Sequence, residues 1–384
     1  MNILEIIPYA TFILCIIPLI WAFFLYPIFL KAAKKFYKPV KKAKIRPTIS
    51  IIIPAYNEET FIEEKIINTL SLEYPKDKLE ILVVDDGSSD ATAEIARRFK
   101  EIKVIELGRV GKNRAINEAL KVSSGEIVIV TDADSFSLQK DALVRIVENF
   151  ADSSVGAVSA IVSFSESESA FIRKFFSDFS ERNKKIWMRE SMLDSITSGL
   201  GVFLAFRKKL VPQLHVECFA DDVEISVRVR EKGFRIVYEP SLQIVTPAPS
   251  SFKVWYKQYV RRTLSGLVTI FNHKHLLFNP KYGWYGLVIL PTRSLFLHFS
   301  PFLALGCLFS LFFINPLICY IVVALFLVML LFSFLFRKLL LIGTVMVHAW
   351  ILFILKRYGP KYWMKEPRLT RDVSKGVETK GMLL

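Results

Sequence analysis

The sequence predicts an α/β domain on a mainly parallel sheet, with transmembrane helices before and after it. Three observations carry this. Residues 6–30 contain no charged side chain, short Ile- and Val-rich runs alternate with polar stretches between 47 and 250, and 284–355 carries charge only at Arg293, Arg337 and Lys338. The chain has 384 residues, 52% hydrophobic and 23% charged, with 32 Phe. That is too apolar for a disordered chain and too charged for one lying wholly in lipid, so the protein divides between two solvents.

Residues 6–30 (IIPYATFILCIIPLIWAFFLYPIFL) number 25, and at about 1.5 Å per residue they can cross a hydrocarbon core of about 30 Å. A cleaved signal peptide needs a basic start and a shorter apolar core. Here the start is MNILE and the basic residues follow the span. Residues 1–30 therefore read as a retained anchor, and 31–46, with eight basic and no acidic residues, as a basic linker on the cytoplasmic side.

From Pro47 the runs TISIIIP (48–54), LEILVVDD (79–86), IKVIEL (102–107) and GEIVIVTDAD (125–134) read as strands, the later ones each following a helix-like segment. That alternation predicts a parallel sheet covered on both faces. The runs 155–162, 201–206 and 234–240 can extend it, with a long polar segment at 168–192 between them. Residues 47–250 are thus one domain of ordinary size. In 251–283, Phe252, Trp255, Tyr256 and Tyr259 recur at helical spacing beside Lys253, Lys257 and Arg261, the pattern of an amphipathic helix at a membrane interface or on a domain surface. Residues 284–355 predict a short or interfacial segment near 283–296, spans near 295–314 and 316–336, and a third apolar segment near 339–355. The tail 356–384 is basic.

The net charge of +15 suggests nucleic acid until it is located. The linker carries +8 and the tail +5, leaving +3 for 47–355. Basic runs beside apolar spans mark a cytoplasmic face and anionic lipid, so no nucleic-acid partner is expected. Cys15, Cys307 and Cys319 lie in apolar segments and Cys218 stands alone. None of these spacings holds zinc or suggests a disulfide.

Ligands of parallel α/β domains bind at the carboxyl ends of the strands, and here those ends are acidic. They read Pro54-Ala55-Tyr56-Asn57-Glu58, Asp85-Asp86-Gly87-Ser88-Ser89-Asp90 and Asp132-Ala133-Asp134. Gathered in one crevice, these carboxylates need a positive partner. Two of them at i and i+2 on a turn suit Mg²⁺ or Mn²⁺ when a phosphate completes the shell. The Gly-rich dinucleotide fingerprint is missing from the first strand–helix turn. Lys112, after Gly111, is a candidate phosphate contact or an ordinary lysine at a helix start. Ala220-Asp221-Asp222-Val223-Glu224 opens a helical stretch, where acidic residues either serve the helix dipole or supply a general base. His215 stands just before it, as a surface histidine or a metal neighbour.

The ordered set PAYNEE, VVDDGSSDAT, GKNRAIN, DADS, TSGLGVFLAFRK, ADDVEIS and QYVRR resembles the family 2 inverting glycosyltransferases of GT-A fold. Within them it is similar to the membrane-integrated cellulose, hyaluronan and poly-N-acetylglucosamine synthases. The resemblance covers about 47–265, and Trp363 and Arg368 in the tail are similar too. It implies a nucleotide-sugar donor, UDP-sugar foremost, with Mg²⁺ or Mn²⁺ and a membrane lipid or lipid-linked glycan as acceptor. Pro54, Tyr56, Glu58 and Asp85 or Asp86 then surround the base and ribose, Lys112 lies near the phosphates, and Asp132 and Asp134 hold the metal–diphosphate. Asp222 becomes the general base, and Gln258 and Arg261 match a Gln-x-x-Arg whose arginine faces the diphosphate. The chain departs from the synthases in two motifs, with Ala220-Asp221 for Thr-Glu and Arg262 for the tryptophan after Arg261. That indole stacks on the acceptor sugar, a task a flexible guanidinium does less well. The expectation is therefore transfer of one sugar, with a processive synthase, a polyprenyl-phosphate sugar synthase and an inactive membrane scaffold as alternatives.

Overall fold

The computed structural model describes residues 3–164, 170–216 and 220–357. Trp363, Arg368 and Cys218 lie outside the described residues. The chain forms two compact units, one of 1–35 with 256–358 and one containing 36–255.

The first unit begins with α1 (Ile3–Ile20), a π turn (Trp21–Leu25) and α2 (Tyr26–Ala32), which run on through a 3-10 turn to Phe36. In the second unit the order is β1 (Ile49–Ala55), α3 (Ile62–Leu70), β2 (Leu79–Asp86), α4 (Thr92–Arg97), β3 (Lys103–Leu107), α5 (Lys112–Val122), β4 (Ile127–Val130) and β5 (Phe136–Ser137). Then follow α6 (Ala142–Val147), β6 (Val155–Phe164), α7 (Ala170–Leu193), β7 (Leu204–Arg207), α8 (Asp221–Glu231) and β8 (Arg235–Thr246). The strands make one sheet in the order β3-β2-β1-β4-β7-β6-β8-β5. β1 pairs in parallel with β2 and β4, and β2 with β3.

Alternation along β1 shows why both faces are covered. Ile51 and Ile53 join Ile62 and Ile66 of α3 and Ile146 of α6 in one core, whereas Ile52 joins Ala115 and Ile116 of α5 and Ile225 of α8 in the other. A strand buried on both sides has no polar face to show, hence the unbroken isoleucine run. The sheet is mainly parallel, as expected, with β7 antiparallel to both β4 and β6 and β5 antiparallel to β8. Periodicity records which residues are buried, and direction leaves no trace in it.

The basic stretch 31–46 divides. Beyond Phe36 it lies along the second unit, where Lys38 N donates to Met192 O at 2.6 Å, Arg235 donates to Lys38 O at 2.7 Å, and Lys42 Nζ meets the buried Glu239 at 2.5 Å.

α9 (Phe252–Asn272) is the amphipathic helix expected there, and α10 (Leu297–Ile314), α11 (Pro316–Phe332) and α12 (Phe334–Ile354) follow. The separate segment at 283–296 is corrected, because helix is continuous over Tyr285–Ile314. Pro291 sits inside it within π turns, which absorb the proline's missing N–H. The break at Asn315-Pro316 stands, with Asn315 capping Ile318 N. The break expected at Arg337-Lys338 falls instead at Ser333, in extended backbone (φ −115°, ψ 120°), because Arg and Lys are good helix formers. Among the described residues, three helices are long and apolar enough to cross a membrane: Glu5–Phe36, Tyr285–Ile314 and Phe334–Ile354. Cys15 is half-buried, Cys307 and Cys319 are buried, and all three are free thiols.

Candidate active site

The site is assembled at the carboxyl ends of β1, β2 and β4. Pro54 is tolerated in the central strand β1 because β4 pairs only with Ile49–Ile52, so no ladder bond asks for its N–H. Beyond it the loops after β1 and β2 interlock. Asn57 adopts φ 53°, a left-handed conformation that asparagine tolerates. From there its backbone N–H donates to Ser88 Oγ and its side-chain oxygen Oδ1 accepts from Ser89 N. Glu58 N donates to Thr92 Oγ1 at 2.7 Å, and Asp90 caps Thr92 N at 3.0 Å. Much of the motif chemistry of 57–59 and 88–92 thus ties two loops together.

Asp85 and Asp86 are neighbours with opposite situations. Asp86, 2% exposed, accepts from Val110 N at 2.7 Å, Gly111 N at 2.9 Å and the Arg109 guanidinium. Gly111 at φ 95° allows that backbone turn at no steric cost. Asp85 accepts Ser88 N on one oxygen at 3.1 Å, and its other oxygen, Oδ1, is buried without a hydrogen-bond partner. Arg109, which the sequence reading missed, lies over the Tyr56 ring with Cζ 3.5 Å from the centroid. Glu58, on the loop after β1, is buried.

The second cluster is cationic at its centre. Lys112, the first residue of α5, places Nζ 2.7 Å from Asp132 Oδ1 and 3.0 Å from Asp221 Oδ2. Burial alone lowers a lysine's pKa, but Asp132 and Asp221 outweigh it and hold Lys112 charged. Asp221 and Asp222 open α8 behind Ala220. Burial raises the Asp222 carboxyl to about 6, with the Asp221 charge adding to it and Lys112 opposing. Asp222 accepts from Val223 N at 2.8 Å and Gly201 N at 3.3 Å. Glu224, in the same motif, is structural, since its buried carboxylate pairs with Arg228 at 2.5 Å. His215 is exposed, and its backbone joins α5 to α8 through Asn113 and Glu224.

Asp134 is buried on the turn after β4. Beside that turn stands Lys65, also missed, whose fully buried ammonium is lowered to about 7 by burial while Asp132 and Asp134 pull it upward. Its signal was present, because Lys65 sits on the buried face of α3 with Ile62, Ile66 and Thr69. Gln258 and Arg261 belong to the other unit, half-buried on α9.

Residues 50–212 match the model of the family described as Glycosyl transferase family 2. The chain carries a family 2 glycosyltransferase domain. It is 28% identical over 271 residues to a probable glycosyltransferase, YdaM, of Bacillus subtilis, covering 63% of each chain. It is 29% identical over 226 residues to the poly-beta-1,6-N-acetyl-D-glucosamine synthase of Staphylococcus aureus, covering 57% of this chain and 54% of that one. The chain therefore matches less than two thirds of the length of either relative. Among solved structures, the mannosyltransferase PcManGT from Pyrobaculum calidifontis, in complex with GDP-Man and Mn²⁺, superposes with a TM-score of 0.73 at 24% identity, over 91% of this chain and all of that one. The glycosyltransferase domain accordingly has the GT-A fold that the sequence motifs imply.

Proposed function

We propose that the protein is a multi-pass membrane glycosyltransferase with a cytoplasmic catalytic domain. It moves one sugar, with inversion, from a nucleotide-diphosphate donor to a membrane lipid or lipid-linked glycan. The observation that carries this is Asp222, a carboxyl raised to about 6 beside the Lys112–Asp132–Asp221 array. A base of that pKa is ionised at neutral pH and still accepts a proton as an attacking hydroxyl loses it.

The donor's base and ribose are assigned to the Tyr56, Glu58, Asp85 and Arg109 end, where Asp85 Oδ1 is an unsatisfied acceptor. Asp86 is already saturated, so its part is to hold the Arg109–Gly111 turn. Lys112 lies where phosphates would reach it, and it can exchange a carboxylate partner for a phosphate without leaving its place. Asp222 orients the acceptor hydroxyl and takes its proton as the oxygen bonds to the anomeric carbon, while the bond from that carbon to the nucleotide diphosphate breaks on the opposite face and the diphosphate departs with the electron pair. Its motif assigns Arg261 to that diphosphate, with Gln258 beside the donor.

Asp132 and Asp134 fit Mg²⁺ or Mn²⁺, being hard oxygen donors on one turn, and Asp132 already holds a cation, the Lys112 ammonium. Bound there, the metal would supply positive charge to the departing diphosphate. The test is nucleotide release from UDP- and GDP-sugars by the purified protein in membrane lipid, with Mn²⁺, Mg²⁺ or EDTA. Release that needs both metal and lipid supports the reading, and no hydrolysis or transfer with any donor favours the inactive scaffold. The synthase relative supports a second reading, processive polymer formation. Product length separates it from single transfer, and a polyprenyl-phosphate acceptor identifies the third alternative.

A further inference from the structure

We infer that Lys65 is a positioning residue for the divalent cation, holding the turn that carries Asp132 and Asp134 and offsetting their mutual repulsion until the cation arrives. This rests on the reading of that turn as the metal site.

The turn Thr131–Ser135 leaves β4 with both carboxylates between its ends. Lys65 Nζ reaches across from α3, donating to Thr131 Oγ1 at 2.8 Å and to Ser135 O. One ammonium therefore staples the first residue of the turn to the last. Thr131 Oγ1 in turn donates to Val202 O at 2.7 Å, and the adjoining Gly201 N donates to Asp222. A continuous set of hydrogen bonds and peptide units thus runs from the metal turn to the proposed base. α3 itself starts at the donor loop, where Phe61 N and Ile62 N donate to Glu58 O at 2.9 Å. The three parts of the site share one rigid support.

A structural staple does not need a charge. A neutral amide can donate to a hydroxyl and a carbonyl, and α3 shows one three residues on, where Asn68 brackets Ser137 with two bonds of 3.0 Å. Lys65 is 2% exposed, and no carboxylate among the described residues forms an ion pair with it. Burying an ammonium on those terms is costly. What returns part of that cost is the field of Asp132 and Asp134. A cation with two positive charges would enter between the same two carboxylates, and Lys65, bonded on either side of them to Thr131 and Ser135, keeps them placed in the metal-free enzyme. Groups that support a ligand set in this way commonly change metal affinity about 10–100-fold when removed.

The full-length protein in lipid nanodiscs decides it. Mn²⁺ binding is read from loss of the free-ion EPR signal, once alone and once with UDP and GDP together at saturation, and nucleotide binding is read separately in EDTA. Lys65→Met and Lys65→Gln should weaken Mn²⁺ binding about tenfold or more and leave nucleotide binding in EDTA unchanged. Lys65→Arg should bring the affinity back to within about threefold, and Asn68→Ala, which cuts bonds on the same helix without touching charge, should also stay within about threefold. Wild-type Mn²⁺ binding by Lys65→Gln overturns the proposal, as does a loss in Asn68→Ala as large as that in Lys65→Met. If Lys65→Met fails to fold, the Gln and Arg variants carry the decision. Asp134→Asn separates the two readings: Mn²⁺ binding that survives it refutes the metal turn itself, whereas its loss there with wild-type binding in Lys65→Gln refutes only the part given to Lys65.

Discussion

The two ends of the site solve the same electrostatic problem in different ways. At the Asp85–Asp86 end, the buried Asp86 is satisfied by two backbone N–H groups and Arg109, partners fixed by the chain. At the Asp132–Asp222 end the carboxylates lean on lysines, Lys112 at 2.7 and 3.0 Å and Lys65 at longer range. Backbone donors cannot be exchanged without unfolding the turn, but an ammonium on a flexible stem can trade a carboxylate for a phosphate. The first end is built as a fixed socket and the second as a set of replaceable ion pairs, which suits a base-and-ribose site beside one where charge must be rearranged during reaction.

The variant expected to break the second end hardest is Asp222→Asn. It should lower transfer by about 10²–10⁴-fold, measured as product formed, with donor binding unchanged; an active variant would remove Asp222 from the role of base. Next comes the contrast within the first end. Asp86→Asn should destabilise the domain by about 2 kcal/mol through weakened charge-assisted bonds, seen as a lower Tm. Asp85→Asn should leave Tm nearly unchanged and weaken nucleotide binding about tenfold.

A smaller effect concerns pH. With Asp222 at about 6, transfer should be full above that value and fall about tenfold per pH unit below it, because only the deprotonated carboxylate accepts the proton. Lys112 lowers the Asp222 pKa, so Lys112→Met should move this acid limb to higher pH as well as weakening donor binding. A limb that stays in place would show that Lys112 does not act on the base. The smallest effect belongs outside the site. Lys42→Met should cost about 1 kcal/mol, since Lys42 is 42% exposed and solvent screens its charge, and Asn149 and Ser241 still satisfy Glu239.

The parallel half of the sheet and its acidic strand ends were legible because strands buried on both faces read as apolar runs, and because ligand-facing residues follow those runs directly. Other features were not. Sequence cannot say which of two adjacent aspartates turns toward backbone N–H groups, so Asp85 and Asp86 stayed interchangeable until the Arg109–Gly111 turn was seen. Arg109 itself sits in a loop, where no periodicity marks burial. Lys65 was readable from its spacing with Ile62 and Ile66, yet a lysine near the start of a helix is ordinarily solvated. Charge at Arg293 and at Arg337-Lys338 suggests helix ends near 296 and 337, whereas π turns carry the helix past the first and a single extended serine ends it at 333.

The strap formed by residues 38–46 sets where the second unit of this protein can be cut. A fragment beginning at β1 would strip Lys42 from Glu239 and Lys38 from Met192 and Arg235, exposing an edge of α7 and β8 that is covered in the whole chain. A fragment beginning at Phe36 keeps that seam closed. For crystallography of that unit, the useful start therefore lies about a dozen residues ahead of its first strand, inside what composition alone would have discarded as a tether.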